Sequence, residues 1–207
     1  MIPRASQSLR ETPFYVSESD APAKRKILIV ALHLFVRDGL CETSIRDIAK
    51  ESGFSNPALF KHFPSKEALA AYLFECCYRE LFHQLSRAMQ SEGSFAARHQ
   101  AAIAAFLAAM DRDMDSVLFV QETLRYFWPK MPASVRRLSI LGEVRRFLEA
   151  GRKEGAVTRS VDIGLLANAW IGTLQQFARV CYFGSLPQPL SMVAPALEEL
   201  LTRMVGA

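Results

Sequence analysis

The sequence predicts an all-α protein in which a three-helix helix-turn-helix head precedes a larger helical body. Apolar residues recur every three or four positions almost throughout the chain, which is typical of amphipathic helices. No stretch alternates apolar and polar residues for long enough to predict a strand. Two short helical segments flank a turn that contains Gly53, and this arrangement indicates a helix-turn-helix motif.

The composition places the chain in an ordinary globular class. Half of the 207 residues are hydrophobic and 22% are charged, which supports one or two domains with a sizeable core. A disordered chain, a collagen-like chain and a disulfide scaffold are thereby excluded. The formal charge is +4, and residues 1–66 carry ten basic and seven acidic residues, so +3 of it lies in the predicted head. Such an excess permits an anionic partner at the head.

The head is predicted to contain three helices. The first begins near Asp20 and ends at Gly39. Its apolar face is formed by Ile27, Val30, Ala31, Leu34 and Phe35. Ser44 is a suitable N-cap for a second helix at 45–52, and a third helix at 56–63 follows after a short turn.

The body is predicted to contain longer helices. Pro64 ends the head, and Ser65 can cap a fourth helix that reaches about Gln90. Pro195 is expected to start or kink the last helix of the chain. The further helices are predicted at about 94–111, 115–127, 133–154, 160–183 and 190–204.

The cysteine pattern predicts neither a structural zinc site nor a cofactor. The four cysteines form no CxxC pair, and no histidine cluster has the spacing of metal ligands. For the neighbouring Cys76 and Cys77, inert packing is favoured over redox sensing. No apolar run reaches the roughly 18 residues that cross a bilayer, and the first residues lack the apolar region of a secretory signal. We therefore expect a cytoplasmic protein that makes no membrane contact.

The head carries the donors that a DNA-binding motif needs. The second helix of such a motif lies in the major groove, which is about 12 Å wide. Ser65 and Lys66 also open a helix, whose N-terminus is a natural phosphate site. The donors expected on the outer faces are Thr43, Ser44, Arg46, Lys61, His62 and Lys66. The residues expected on the inner face are Ile45, Ile48, Ala49, Phe54, Leu59 and Phe63.

Several sequence blocks at fixed spacing lie within about 45 residues of the head. They are Lys26-Ile27-Leu28, Ala31, Leu34-Phe35, Asp38-Gly39, Thr43-Ser44-Ile45-Arg46-Asp47-Ile48-Ala49, Ser52-Gly53-Phe54-Ser55 and Leu59-Phe60-Lys61-His62-Phe63-Pro64-Ser65-Lys66-Glu67-Ala68-Leu69. Together they resemble the N-terminal domain of tetracycline-repressor (TetR) type transcriptional regulators. The resemblance covers roughly a fifth of the chain, and it rests on many blocks in register rather than on one short string.

The resemblance implies a ligand-responsive transcriptional regulator that binds double-stranded DNA. Such a regulator binds a near-palindromic operator as a homodimer, here through its last two helices, and a small-molecule effector releases it. Repression is then the default mechanism. We expect a flexible N-terminal arm at 1–20, a DNA-binding domain at 21–66 and a ligand-binding and dimerisation domain at 67–207. Arg4 and Arg10 of the arm could reach a minor groove, although disorder without function is favoured.

The resemblance also implies roles for individual residues by position. The DNA-facing set comprises Ser55, Asn56, Pro57, Ala58, Phe60, Lys61 and His62. The clamps on the DNA backbone comprise Thr43, Ser44, Arg46 and Lys66. Pro57 replaces a usual glycine, and Phe60 replaces a usual tyrosine whose hydroxyl meets a phosphate, so one phosphate contact is lost. Lys61 can donate to guanine, Asn56 can pair with adenine, and the Ala58 methyl can meet a thymine methyl. We expect Lys61 to be the main base-reading residue.

A ligand pocket in the body needs an apolar wall with a few polar groups. Each candidate alone is more typical of the core than of a ligand contact. The segment 125–129 is the most suggestive, and an anionic or aromatic effector would suit it. The candidates are Phe82, His83, Phe106, Met110, Phe119, Arg125, Tyr126, Trp128, Trp170 and Gln175.

A competing hypothesis is an all-helical small-molecule carrier or enzyme whose head is structural. The sequence contains no paired carboxylates on one helix face, no nucleophile elbow, no glycine-rich phosphate loop and no metal cluster. We therefore expect no enzymatic activity and no catalytic or metal-binding residue. Activation instead of repression would depend on the position of the operator and not on the residues of the protein.

Overall fold

The computed structural model describes residues 13–17, 19–184 and 190–206, and within these ranges every regular element is a helix. The α-helices are α1 (Pro22–Arg37), α2 (Ile45–Ser52), α3 (Asn56–Phe60), α4 (Lys66–Met89), α5 (Phe95–Phe127), α6 (Ala133–Arg136), α7 (Ile140–Lys153), α8 (Ile163–Tyr182) and α9 (Ala194–Val205). Short 3-10 turns occupy Trp128–Lys130 and Leu190–Met192. The predicted all-α fold class is confirmed.

The chain divides into two compact units, and the division falls within α4, between Cys76 and Cys77. In the first unit, α1 packs against α2 and α3, because one broad face of α1 is apolar. The predicted boundary after residue 66 separates a DNA-binding function from a ligand-binding function, and it stays a prediction. The core of the first unit includes Ile27, Leu28, Ala31, Leu34, Phe35, Ile48, Leu59, Leu69 and Leu73.

Part of the predicted flexible arm is folded. Tyr15 and Val16 are buried, and the amide of Ser17 donates a hydrogen bond to Asp20 Oδ2 at 2.9 Å. Burying these two large side chains stabilises the segment just before α1, so the prediction of a flexible arm is wrong for the described residues from 13 onward. Arg4 and Arg10 lie outside the described residues.

Three predicted helix boundaries differ from those in the structure. The third helix ends at Phe60 instead of residue 63, because the Lys61 and His62 amides turn back to the Pro57 and Leu59 carbonyls. The single helix predicted at 133–154 is divided into α6 and α7. Ser139 begins α7 as an N-cap, since its Oγ accepts a hydrogen bond from the Gly142 amide at 3.0 Å.

The helices predicted at 94–111 and 115–127 correspond to the two parts of α5. The element is continuous, but Asp113 has non-helical backbone angles, with φ −157° and ψ 85°. Its Oδ1 accepts a hydrogen bond from the Ser116 amide at 3.2 Å, which is the geometry of an N-cap for the following turns. Burial raises the pKa of this carboxyl to about 6.

An aromatic cluster holds α5, α7 and α8 together in the second unit. His99 stacks on Phe95 and Phe147, with ring centroids 5.6 and 6.4 Å away. Trp170 Nε1 donates a hydrogen bond to His99 Nε2 at 2.9 Å, and burial lowers the pKa of His99 to about 4. Gly151 completes the cluster, because a Cβ at this position would lie 2.5 Å from Phe95 Cδ2.

A buried carboxylate joins α7 to the end of α4. Glu143 accepts hydrogen bonds from Ser86 Oγ at 3.1 Å and from Gln90 Nε2 at 2.6 Å, and it also pairs with Arg146. Burial opposes ionisation of this group, but the hydrogen bonds from Arg146, Gln90 and Ser86 outweigh it and lower the pKa. The carboxylate therefore stays charged and fixes the two helices to each other.

Two searches of the described residues concern other classes of function. No helix there is long and apolar enough to cross a membrane. In the same part of the chain, no group of three or more histidine, cysteine, aspartate or glutamate side chains could hold a metal ion.

Candidate nucleic-acid interface

The start of α2 is fixed by a capping box. Ser44 Oγ accepts a hydrogen bond from the Asp47 amide at 3.2 Å, and Asp47 Oδ2 accepts one from the Ser44 amide at 2.8 Å. The Ser44 hydroxyl also donates to Asp47 Oδ2 at 2.6 Å. These bonds from Ser44 lower the pKa of Asp47. They position α2 within the motif, and they engage the Ser44 hydroxyl proton inside the protein.

The turn between α2 and α3 depends on Gly53. Gly53 has φ +78° and ends α2 in the left-handed region, which a residue with a Cβ adopts only at a cost. The Phe54 amide then donates to the Ala49 carbonyl at 3.0 Å, and α3 starts after Ser55 with Pro57 in its first turn. On the inner face that the sequence predicts, Ile48, Ala49, Leu59 and Phe63 are buried, whereas Ile45 and Phe54 are partly exposed.

Lys66 closes the loop between α1 and α2. Its Nζ donates to the carbonyls of Leu40 at 2.8 Å, Cys41 at 3.2 Å and Thr43 at 2.8 Å. The Thr43 hydroxyl, in a side chain only 2% exposed, donates to the Gly39 carbonyl at 2.8 Å. Three carbonyls satisfy the three donors of an ammonium group.

The set of predicted phosphate clamps therefore needs correction. Thr43, Ser44 and Lys66 have partners within the protein for the side-chain donors that were expected to meet DNA. Their roles in the structure are to shape the loop and the start of α2. Of the four predicted clamps, Arg46 is the one whose charged side chain is exposed and has no hydrogen bond or ion pair within the described part of the chain.

The predicted reading face lies at the surface of the head. Phe60 is 50% exposed, Lys61 is exposed and His62 is partly exposed. At the start of α3, Ser55 and Pro57 are exposed, while Asn56 and Ala58 are partly exposed. In the described ranges, no hydrogen bond or ion pair engages the side chains of Asn56, Lys61 or His62. The structure thus brings the seven predicted DNA-facing residues together on one short helix and its flanks.

The predicted ligand residues do not form one pocket. Met110, Phe119 and Trp170 lie in the core, and Phe82 and Phe106 are also buried. Three others are exposed, namely His83, Arg125 and Tyr126. Lys130 Nζ lies 3.3 Å from the centre of the Tyr126 ring, Trp128 packs 4.8 Å from the Tyr78 ring, and Gln175 is partly exposed.

A groove of about 350 Å³ lies instead along α4 and α5 of the second unit. None of the ten predicted ligand residues lines it. The sequence shows the spacing of its residues along each helix, but it does not show which faces of the two helices oppose each other. The groove is lined by Gln84, Arg87, Ala105, Ala108 and Arg112.

The fold and the exposed α3 face define a helix-turn-helix DNA-binding protein. Residues 27–73 match the family model described as bacterial regulatory proteins of the tetR family. The HTH-type transcriptional repressor KstR2 of Rhodococcus jostii is 25% identical over 150 residues, which cover 69% of this chain and 71% of that protein. The chain belongs to the tetR family and is a DNA-binding transcriptional regulator.

Solved structures show that the similarity of fold extends beyond the head. A bacterial regulatory protein of the tetR family from Rhodococcus RHA1 has a TM-score of 0.76 and 22% identity, covering 91% of this chain and 99% of that chain. The ketosteroid transcriptional regulator KstR2 of Mycobacterium tuberculosis has a TM-score of 0.79 and 19% identity, covering 93% and 99%. At these identities, the two structures support the fold of the body and not its ligand.

Proposed function

We propose that the protein is a homodimeric repressor that binds a near-palindromic operator and is released by a small-molecule effector. The observation that carries this proposal is the exposed α3 face, where Lys61, His62 and Asn56 retain unpaired polar groups. Such groups recognise base edges and phosphates when a short helix enters the major groove. Repression is the activity named for the Rhodococcus jostii relative.

A homodimer is supported by the outer surface of α8 and α9. Leu165 on α8 is 64% exposed and Leu200 on α9 is 56% exposed. The exposed side of α8 also carries small residues, Ala169 and Gly172, and a Cβ added at Gly172 would meet nothing within 4 Å. A second copy could approach such a face closely, and two helices from each subunit would form a four-helix bundle.

The dimer also follows from the requirements of DNA recognition. One head offers only a few base-reading groups, because α3 has five residues. Two heads related by a two-fold axis double these contacts and require two half-sites in opposite orientation. We propose that effector binding in the second unit changes the arrangement of the heads, and that the protein acts on DNA in the cytoplasm without enzymatic activity.

Selection of random duplex DNA by the purified protein tests this function. The salt concentration should be about 0.1 to 0.15 M, so that nonspecific attraction to phosphates is partly screened. We expect enrichment of a near-palindrome by the wild type and by Lys153→Glu, which reverses a charge on α7. Lys61→Glu should abolish the enrichment although the protein stays folded. A folded wild-type protein that enriches no sequence would contradict the proposal.

A further inference from the structure

We propose that the groove between α4 and α5 is the effector site and that it binds an amphipathic carboxylate. This inference rests on the proposed function only in assuming that the second unit has an effector. The groove encloses about 350 Å³, which lies within the range of roughly 300 to 1,000 Å³ typical of small-molecule sites. Its location on α4 is relevant because that helix continues into the first unit.

The lining of the groove has a polar end group at each helix and an apolar floor. Ala105 and Ala108 lie one helical turn apart on α5, and their small side chains leave room for a hydrocarbon chain. Arg87 and Arg112 supply guanidinium groups, which match a carboxylate in shape and charge. Ala105 to Arg112 spans about 10 Å along the helix, a length comparable with an extended chain of eight carbons.

The local charges favour an anion. Glu80 Oε1 accepts hydrogen bonds from Gln84 Nε2 at 2.6 Å and from Arg112 Nη2 at 3.3 Å. Arg87 donates from Nε to the His83 carbonyl at 3.2 Å, and it pairs with no carboxylate in the described ranges. The two arginines and Glu80 therefore leave one positive charge in excess beside the groove. A carboxylate ligand would neutralise this excess.

Ligand binding at this site would change a contact between the helices. The Glu80–Arg112 ion pair joins α4 to α5, and a ligand carboxylate would compete with Glu80 for the same guanidinium. Arg112 also precedes Asp113, where the backbone of α5 departs from helical geometry. Occupation of the groove would thus act on α4 and at the break in α5.

Isothermal titration of the purified full-length protein with sodium octanoate, in the absence of DNA, tests the inference. We expect saturable binding of one octanoate per subunit, and at least about tenfold weaker binding of octanol and of acetate, because each lacks one of the two recognised features. Arg87→Gln should weaken octanoate binding by about tenfold or more. Arg145→Gln, which removes an arginine from α7, should leave it unchanged. Glu80→Gln should tighten binding, since it removes the competing carboxylate.

Three outcomes would overturn the inference: equal affinity for octanoate and octanol, equal weakening by Arg87→Gln and Arg145→Gln, or no tightening by Glu80→Gln. Circular dichroism of each variant checks that the helices are retained. The titration contains no DNA, and the operator selection contains no octanoate. Failure of the groove and failure of the regulator function are therefore observed separately.

Discussion

At the scale of single residues, the head shows which side-chain roles follow from residue type and which depend on neighbours. Lys61 and Arg46 are exposed cations, as their positions outside the apolar pattern predict. Lys66 is also a cation beside a helix start, but three loop carbonyls bind its ammonium group. These carbonyls belong to residues more than 20 positions away in sequence, so the amino-acid pattern alone did not reveal them.

Lys61→Ala should weaken operator binding by about 1 to 3 kcal/mol and relax the preference at one base position, if the ammonium group donates to a guanine. The affinity is measured by fluorescence anisotropy on the selected operator and on single-base variants of it. Lys50→Ala removes an exposed cation from the last turn of α2 and serves as the control, with a smaller and sequence-independent loss expected. An equal loss on every DNA sequence for Lys61→Ala would place Lys61 on a phosphate instead of a base.

At the scale of secondary-structure elements, local sequence signals predicted the helices better than their pairing. The polar run from Asp111 to Asp115 indicated a break in the middle of α5, and the backbone departs from helical geometry at Asp113. The short α3 was predicted too long, because the apolar Phe63 continues the helical period beyond the last helical residue. The opposition of Gln84 and Arg87 to Ala105 and Ala108 depends on the register of two helices, which periodicity does not contain.

The pKa of Asp113 predicts a pH-dependent stability at the break in α5. Burial raises this pKa to about 6, whereas an aspartate in an unfolded chain has a value of about 3.9. The folded state therefore binds the proton more tightly, and its contribution to the free energy of unfolding is present at low pH and lost as pH rises from about 4 to about 6. Asp113→Asn removes the titration and retains an N-cap.

The stability of Asp113→Asn relative to wild type should therefore increase between pH 4 and pH 7, by up to about 2 to 3 kcal/mol. Urea unfolding at several pH values measures this difference, and the other titrating groups cancel in the comparison. Asp162→Asn at the start of α8 is an informative control, because the Leu165 amide lowers the pKa of Asp162 and the difference should run in the opposite direction. A pH-independent difference for Asp113→Asn would show that the carboxyl is solvated in the folded protein.

At the scale of the whole molecule, α8 has apolar residues on more than one side. The face that the sequence identified, which includes Leu166, Trp170 and Leu174, is buried within the subunit. Leu165 and Phe183 remain exposed and flank the small residues on the outer side. Burial within the subunit and burial between subunits produce the same apolar pattern, so the sequence did not distinguish the two faces. The exposed side is the part of α8 that remains for a second copy.

Leu165→Glu should convert the proposed dimer to a monomer while the subunit stays folded. In a two-fold interface each substitution occurs twice, and burying two unpaired carboxylates would cost several kcal/mol. Light scattering after size-exclusion chromatography measures the mass, and circular dichroism checks the helices. Leu141→Glu, at a leucine on α7 that is 43% exposed, is the matched control and should remain dimeric. Because both half-sites of a palindrome must be bound together, Leu165→Glu should also lose affinity for the full operator and not for an isolated half-site. A Leu165→Glu protein that keeps the mass of a dimer would place the interface on another face of the body.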